Sequence, residues 1–269
     1  LAYDVNENIS IYGGISTGFK ASSWNLSRDA RPTVGDIDAV RAAGLGVSNL
    51  VSGTRLATPE EAEVIEFGLK ASFPRGSFNL AIFDQEIAGF QSNIFGGSGF
   101  NLANAGLQST QGVEFDMVYY PTDSLQLGLA GTFLDPVYDD FQGATGVNGP
   151  TDLSGQEPAG IHKTSLSASA TYRFTVGEFD AFVRGDFQYD DKIPTNDNLL
   201  ESISSREVKN LNLSAGITSE DGLSLSVWGR NVTDHVTLIT GFPSVAQAGS
   251  FSGYRTAPRT YGLTLAKDF

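Results

Sequence analysis

The chain has 269 residues, no cysteine and a formal net charge of −14. The acidic balance argues against binding nucleic acid, whose phosphates need a basic surface, and suits a neutral or cationic ligand or a surface bathed in divalent cations. The lack of cysteine excludes disulfides, thiolate metal sites and a cysteine nucleophile, and a helical membrane protein is excluded because no apolar run approaches the roughly 18 residues of a spanning helix.

The chain begins with "LAYDVNENIS", which has no basic region, apolar core or small-residue cleavage site of a signal peptide. "LAYDV" is typical of the tail of a strand, and Asn6–Asn8 of the turn that follows it. We therefore expect a chain entered midway, with residues 1–269 forming part of one larger domain.

Apolar residues then alternate with small or polar ones along much of the chain, and this period of two predicts strands with one apolar face. The alternating segments are Ile9–Phe19, Ile65–Phe73, Val113–Tyr119, Leu125–Phe133, Leu166–Val176, Phe179–Tyr189, Leu211–Ile217 and Leu223–Val227. With "SFNLAIFDQEIAGFQ" and the closing "RTYGLTLAKDF", they make about ten strands of roughly ten to fifteen residues. Strands of this length are too long for an ordinary sandwich.

The connections between these strands alternate in length. "RGS", "TDS", "GE" and "SEDG" are tight hairpin turns, whereas residues 21–61, 92–106, 142–160, 193–205 and 237–258 are long segments rich in Gly, Ser and Asn. Short turns on one side and long loops on the other are typical of an outer-membrane β-barrel.

The faces opposite the apolar ones are polar, and burying them in a dry core would cost a few kcal/mol for each unpaired group. Their residues are Glu66, Lys70, Glu114, Asp116, Ser165, Ser167, Ser169, Thr171, Arg173, Asn210, Asn212 and Ser214. We expect these faces to meet water or another polar domain. A soluble β-sandwich and a lipocalin-like barrel are the alternatives, but neither explains the strand lengths and the loop asymmetry together.

Seven stretches, in this order, resemble the C-terminal half of the barrel of a TonB-dependent outer-membrane receptor. They are "ISTGFKASSWN", "PEEAEVIEFGLKASF", "FNLAIFDQEIAGFQ", "NAGLQSTQGVEFDMVY", "DLSGQEPAG", "SVWGRNVTD" and "PRTYGLTLAKDF". The resemblance implies an all-β, antiparallel transmembrane barrel of 22 strands closed by a plug domain. About ten C-terminal strands would be present, and the TonB box, the plug and the first twelve or so strands would precede them.

The same resemblance implies a location in the outer membrane of a Gram-negative bacterium. The expected partners are outer-membrane lipid and lipopolysaccharide, the TonB complex through the preceding part of the protein, the barrel-assembly machinery and a small-molecule ligand, with no cofactor. The assembly machinery would read the terminal strand, which makes Tyr261, Leu263, Leu265 and Phe269 an address as well as wall material. The alternative, wall material alone, fits these residues equally well.

Ligand binding, by this resemblance, falls to aromatic and polar side chains on the loops and the upper lumen. Aromatic side chains there offer contact area at a low entropic cost. The matching positions are Lys20, Trp24, Asn25, Phe90, Gln91, Phe95, Phe100, Asn104, Tyr138 and Tyr254. Each of them has a packing role as its alternative.

Motifs for other chemistry are weak. His162 and His235 have no second ligand at metal spacing, and Asp234 beside His235 would point to the opposite face of a strand, so we expect no zinc site and no enzyme. "GGSG" at Gly96–Gly99 lacks the ending of a phosphate loop.

One acidic cluster suits a metal ion. Asp135, Asp139 and Asp140 lie within six residues where a strand ends, and three carboxylates would suit Ca²⁺. A solvated acidic rim is the alternative.

The leading functional hypothesis is active uptake of a scarce, large solute, in this family most often a ferric siderophore and otherwise a vitamin or an oligosaccharide. A passive pore or structural barrel is the second hypothesis, and a receptor whose loops bind a surface protein is the third. A plug domain upstream would separate the first from the second.

Overall fold

The computed structural model describes residues 1–26, 56–95, 99–146, 149–245, 247 and 249–268. This part of the chain consists of strands and their connections. None of its segments is a helix long and apolar enough to cross a membrane. Phe269, the last residue of the predicted address, and most of the "GGSG" motif lie outside the described residues.

The strands are numbered in chain order, and eleven of them form one antiparallel sheet. Following the sheet from one edge to the other, they are β1 (Ala2–Asn6), β2 (Ile9–Lys20), β5 (Glu60–Phe73), β6 (Gly76–Ala88), β9 (Leu107–Thr122), β10 (Leu125–Asp140), β13 (Thr164–Val176), β14 (Phe179–Pro194), β15 (Ser205–Ser219), β16 (Leu223–Arg230) and β19 (Thr260–Lys267). The other strands form two-stranded sheets, which pair β3 (Ser23–Trp24) with β4 (Leu56–Ala57), β7 (Gln91–Phe95) with β8 (Phe100–Asn104), β11 (Ala144–Gly146) with β12 (Gly149–Thr151), and β17 (Leu238–Pro243) with β18 (Phe251–Arg255).

The predicted strands are confirmed, with two differences. "LAYDV" forms a strand in its own right, which raises the predicted ten to eleven. The strand predicted over "SFNLAIFDQEIAGFQ" ends at Ala88, because Gly89 has a φ of 68° and turns the chain before Gln91 begins a second sheet.

The predicted asymmetry of the connections is also confirmed. Tight turns join β1 to β2, β5 to β6, β9 to β10, β13 to β14 and β15 to β16, all at the same end of the strands. The long connections lie at the opposite end of the strands, which we call the loop end. Four of them carry a two-stranded sheet, and the connection between β14 and β15 carries residues 195–204.

The strand register places apolar residues of neighbouring strands opposite one another. One row, from β2 to β15, contains Ile9, Ala71, Phe78, Met117, Leu129, Ala168, Phe187 and Leu211. The predicted polar set, including Glu66, Asp116 and Asn212, lies on the other face. The division of the sheet into an apolar and a polar face is therefore confirmed.

Connections from distant strands meet over the polar face, as where the connection after β14 reaches Tyr138 of β10, and this makes the polar face the concave one. Tyr138 lies on this face of β10, because it is opposite Gln108, and it is only 3% exposed because the 195–204 connection covers it. The apolar face is open: Leu213 and Ile217 are 46% and 39% exposed. An extended apolar surface of this kind is unfavourable in water and suits lipid.

Candidate ligand-binding surface

A small hydrophobic core closes the loop end above β9 and β10. Tyr138, Phe141 and Ala105 are buried in it, and Phe90 packs against them. The "DLSGQEPAG" stretch is bonded to this core, since the Gly155 amide donates to the Tyr138 carbonyl at 2.6 Å. These bonds give the stretch a structural role.

Tyr138 also fixes the 195–204 connection. Its hydroxyl donates to Asp197 Oδ2 at 3.1 Å, and the Ala159 amide donates to Asp197 Oδ1 at 2.9 Å. Tyr138 lies three residues beyond Asp135, where a charged residue interrupts the apolar positions on the lipid-facing side of β10, and Asp197 lies in the connection after β14. Burial raises the pKa of Tyr138, and the Asp197 carboxylate raises it further, so the phenol remains a donor. Burial also raises the pKa of Asp197.

Four aromatic rings form a continuous row across the loop end. The ring centroids are 5.2 Å apart for Phe95 and Phe100, 6.3 Å for Phe95 and Phe242, and 5.7 Å for Phe242 and Tyr254. We call these residues the aromatic row. Tyr254 is 65% exposed and Phe100 is 44% exposed, so the row offers an accessible apolar surface.

The aromatic row joins two small sheets that extend from distant strands of the large sheet. The β7–β8 sheet arises beside β9 and the β17–β18 sheet beside β16, and these strands are five positions apart in the large sheet. Five steps of about 4.8 Å correspond to about 24 Å along the wall. The contact between Phe95 and Phe242 therefore requires the two sheets to lean toward each other over the concave face.

The structure brings some of the predicted ligand residues together and separates others. Phe95, Phe100 and Tyr254 meet in the aromatic row. Phe90 and Tyr138 lie in the core beneath, with their ring centroids 6.3 Å apart.

The remaining predicted ligand residues lie at the rim near β3. Trp24 is 64% exposed there, and Lys20 forms a 3.0 Å ion pair with Glu60. The buried Asn25 donates to the Phe100 carbonyl.

The amides of Gln91 and Asn104 are already used by the protein. Gln91 Nε2 donates to the Ala21 and Thr58 carbonyls, both at 2.9 Å, and Gln91 Oε1 accepts from Ser23 at 2.7 Å. Asn104 accepts from the Thr58 amide at 2.9 Å and donates to the Thr58 carbonyl at 3.1 Å. Both side chains thus hold the loops together, which is the packing alternative.

The three aspartates do not form a shared calcium site. A strand rises by about 3.3 Å per residue, so Asp135 and Asp139 are about 13 Å apart, whereas Ca²⁺ ligands lie within about 2.6 Å of one ion. Asp135 Oδ1 instead lies 3.7 Å from Lys163 Nζ. Within the described residues, no group of three His, Asp or Glu side chains is placed to hold a metal ion.

Each histidine bonds to the protein backbone. His162 Nδ1 lies 2.7 Å from the Asp191 carbonyl oxygen, and His235 Nε2 lies 3.2 Å from the Glu207 carbonyl oxygen. The strand expected at Asp234 is wrong, because this residue lies in a turn with a φ of 57°.

The stretches "SVWGRNVTD" and "PRTYGLTLAKDF" are held together by this turn. Asn231, which is 7% exposed, donates to the carbonyls of His235 and Ala257, both at 3.1 Å. Asp234 Oδ1 accepts from the Arg259 amide at 2.9 Å, immediately before β19 begins. The turn therefore sets where the last strand starts.

The sequence did not point to Phe242 or to Asn196, Asp197 and Asn198, which bridge the loops. The four consecutive polar residues "TNDN" at 195–198 were the available signal. In a segment rich in Asn and Ser, they predict only a loop.

The fold defines the class of protein. The large sheet is antiparallel and curved, with an apolar convex face and a polar concave face. Short turns join the strands at one end and long connections join them at the other. Such a sheet is part of the wall of a membrane β-barrel. The chain belongs to the family "TonB dependent receptor-like, beta-barrel", whose model matches residues 1–232. This family consists of receptors and transporters rather than enzymes, and its characterised members are outer-membrane barrels of Gram-negative bacteria. The predicted family and fold are confirmed.

Solved structures agree with this assignment. The chain is similar to the ferric yersiniabactin uptake receptor of Yersinia pestis, with a TM-score of 0.74 and 15% identity over 100% of this chain and 36% of that one. A siderophore receptor of Acinetobacter baumannii has a TM-score of 0.66 and 18% identity over 98% and 34% of the two chains. A copper transporter has a TM-score of 0.61 and 12% identity over 100% and 38%.

The chain thus spans about a third of the length of the solved proteins it matches. No curated protein matches it in sequence.

Proposed function

We propose that this chain forms the C-terminal part of the barrel of an outer-membrane receptor that takes up a scarce solute with energy from TonB, and that the solute is a ferric siderophore. The observation that carries the proposal is the aromatic row, which presents exposed rings over the concave polar face. Large planar or apolar ligand groups gain contact area on such rings at a low entropic cost.

The wall and its partners follow from the same proposal. The convex apolar face contacts outer-membrane lipid and lipopolysaccharide, and the TonB complex acts through the preceding part of the protein. The barrel-assembly machinery reads the terminal strand, in which Tyr261, Leu263 and Leu265 are 68%, 73% and 71% exposed. These side chains line the apolar face of β19.

The test is iron uptake by cells whose only siderophore receptor is the full-length protein. Tyr254→Ala should raise the half-saturating concentration of a ferric siderophore about tenfold, because the substitution removes an exposed ring of the row. Phe251→Ala is the matched control, because Phe251 is 45% exposed in the same strand but on its other face.

Two further outcomes decide between functions. Uptake that continues at the same rate after TonB is disrupted would mean a passive pore. An absence of binding and uptake across ferric hydroxamate, catecholate and carboxylate complexes would overturn the choice of a siderophore.

A further inference from the structure

Residues Thr195–Asn198, which we call the bracket, touch both sheets that carry the aromatic row. Asn198 Nδ2 donates to the Phe95 carbonyl at 2.9 Å, across 103 positions of sequence. Asn196 Nδ2 donates to the Gly241 carbonyl, and Thr195 Oγ1 accepts from the Gly241 amide at 3.1 Å. One short segment thus bonds to the main chain of β7 and to that of β17.

The bonded backbone groups lie beside the rings of the row. Phe95 supplies one carbonyl and one ring, and Gly241 immediately precedes Phe242. Fixing a carbonyl at these positions fixes where the adjacent ring projects, since χ angles choose among only a few staggered positions from a fixed backbone.

The connection that contains the bracket approaches β17 too closely, at Ser204, for a side chain at Gly241. A Cβ added there would collide with Ser204 Oγ and lie 3.1 Å from the Ser204 Cβ. Thr195 and Ser204 are also bonded to each other through their hydroxyls. The contact therefore involves the backbone of β17 directly, with no side chain between.

The orientation of the Asn198 amide is set by its partner. Asn198 is 7% exposed, and because a carbonyl only accepts, the nitrogen must face Phe95. Asn198 Oδ1 then has no protein partner. The buried Asn198 side chain thus makes one hydrogen bond, to the Phe95 carbonyl of β7.

The bracket is itself anchored to the wall. Asp197 accepts from the Tyr138 hydroxyl and from the Ala159 amide, at 3.1 Å and 2.9 Å. Tyr138 is 3% exposed on β10, so this anchor belongs to the buried core.

We infer that Thr195–Asn198 positions the aromatic row, and that Asn196 and Asn198 are positioning residues for ligand recognition. Each binds a backbone carbonyl, so the side chains of β7 and β17 other than at Gly241 remain free to differ with the ligand while the bracket keeps the rings together. The two sheets rise from strands five positions apart, and among the described residues Phe95 of one sheet also contacts Phe242 of the other. This inference rests on the proposed function only in naming the row as the ligand surface.

The first test needs no ligand. Residues 1–269 contain no cysteine, so once any cysteine of the preceding part is replaced by serine, spin labels placed on the full-length receptor by Asn93→Cys and Ser250→Cys report only the distance between the two sheets. Both positions are exposed. We expect one narrow distance distribution, which Asn198→Ala and Asn196→Ala each broaden about twofold as the sheets separate.

Glu201→Gln is the matched control. Glu201 lies exposed in the same connection, and its carboxylate pairs with Lys192 at 3.0 Å, so the distribution should stay narrow. Asn198→Leu keeps the shape of the side chain without the donor, and should broaden the distribution as the alanine variant does. An unchanged distribution in Asn198→Leu and Asn196→Ala would overturn the inference.

The second test separates positioning from a general structural role. In the uptake assay, Asn198→Leu should raise the half-saturating concentration about tenfold and leave the maximal rate and the amount of folded receptor unchanged. A lower maximal rate with unchanged half-saturation would overturn the positioning role. The outcomes also separate the two hypotheses, because a failure to take up any ferric complex concerns the proposed function, whereas the spin-label distances concern the bracket alone.

Discussion

Gly262→Ala should destabilise the barrel, because Trp228 of β16 lies flat across Gly262 of β19. The two residues are directly opposite on the concave face. A Cβ at Gly262 would collide with Cζ2 of the indole and lie 2.5 Å from Cε2 and 2.8 Å from Cη2. Carbon atoms in contact normally lie about 3.5–4.0 Å apart, so the ring must move.

The magnitude follows from what the ring would lose. The indole Nε1 donates to Thr264 Oγ1 at 3.2 Å, and the Arg230 guanidinium lies 5.0 Å from the ring centroid. Overpacking costs about 1–3 kcal/mol, and losing the hydrogen bond costs about 0.5–1.5 kcal/mol. Replacing glycine in a strand returns about 0.5–1 kcal/mol. The net effect is a loss of about 0.5–4 kcal/mol in the free energy of unfolding.

The assay is urea unfolding of the purified full-length receptor in lipid vesicles. Gly185→Ala is the control, since a Cβ there would meet one flexible atom, Leu213 Cδ2, at 3.3 Å on the apolar face. Its free energy of unfolding should stay within about 0.5 kcal/mol of the parent. Equal stabilities for the two variants would refute the steric reasoning.

Three further predictions concern the loop end and the last strand. Asn231→Ala removes the side-chain bonds of a residue with a φ of 48° and should lower the free energy of unfolding by about 2–4 kcal/mol in the same assay; no loss would mean that the turn is held elsewhere. Burial raises the pKa of Asp197, so protonated Asp197 stabilises the folded position of residues 195–204. This stabilisation is complete below about pH 4 and is lost as the pH rises through the pKa of Asp197 in the folded protein. Hydrogen exchange of residues 195–204, corrected for the intrinsic rate, should therefore quicken with pH, and Asp197→Asn should abolish the trend; protection that grows with pH would contradict this. For the terminal strand, Phe269→Arg should lower the amount of receptor in the outer membrane more than Leu263→Arg does, although a charge costs about 0–1 kcal/mol at the bilayer edge against about 2–4 kcal/mol at its centre. The opposite ranking by membrane fractionation would leave Phe269 as wall material only.

The wall could be predicted from the sequence because its pattern is local and repeats. Side chains alternate with a period of two, and antiparallel register carries one face across every neighbouring strand. Leu213 and Ile217 were thus placed on the apolar face correctly, as were their partners Gly185 and Ala181 on β14 and Leu225, the partner of Ile217, on β16. An error of one residue in any strand would have reversed its faces, so the alternation is strongly constrained.

The loop end could not be predicted in the same way because its contacts are distant in sequence. Asn198 bonds to a residue 103 positions away, and Gln91 bonds to Ala21 across 70 positions. The composition of these segments identifies them as loops but gives neither their two-stranded sheets nor their partners.

Hydrogen bonding explains why the polar residues predicted to bind ligand, Gln91 and Asn104, bond to the protein instead, whereas the aromatic residues Phe100 and Tyr254 are exposed. Loops that fold over one another expose many backbone groups, and buried backbone groups must be paired. Polar side chains such as Gln91, Asn104 and Asn198 satisfy them first, as their bonds to carbonyl oxygens show. Aromatic rings have no such demand to meet, so Phe100 and Tyr254 can remain exposed. In an interlocked set of loops, a ligand surface is therefore expected to be aromatic, and polar groups offered to the ligand should be sought among atoms that the backbone has left unpaired.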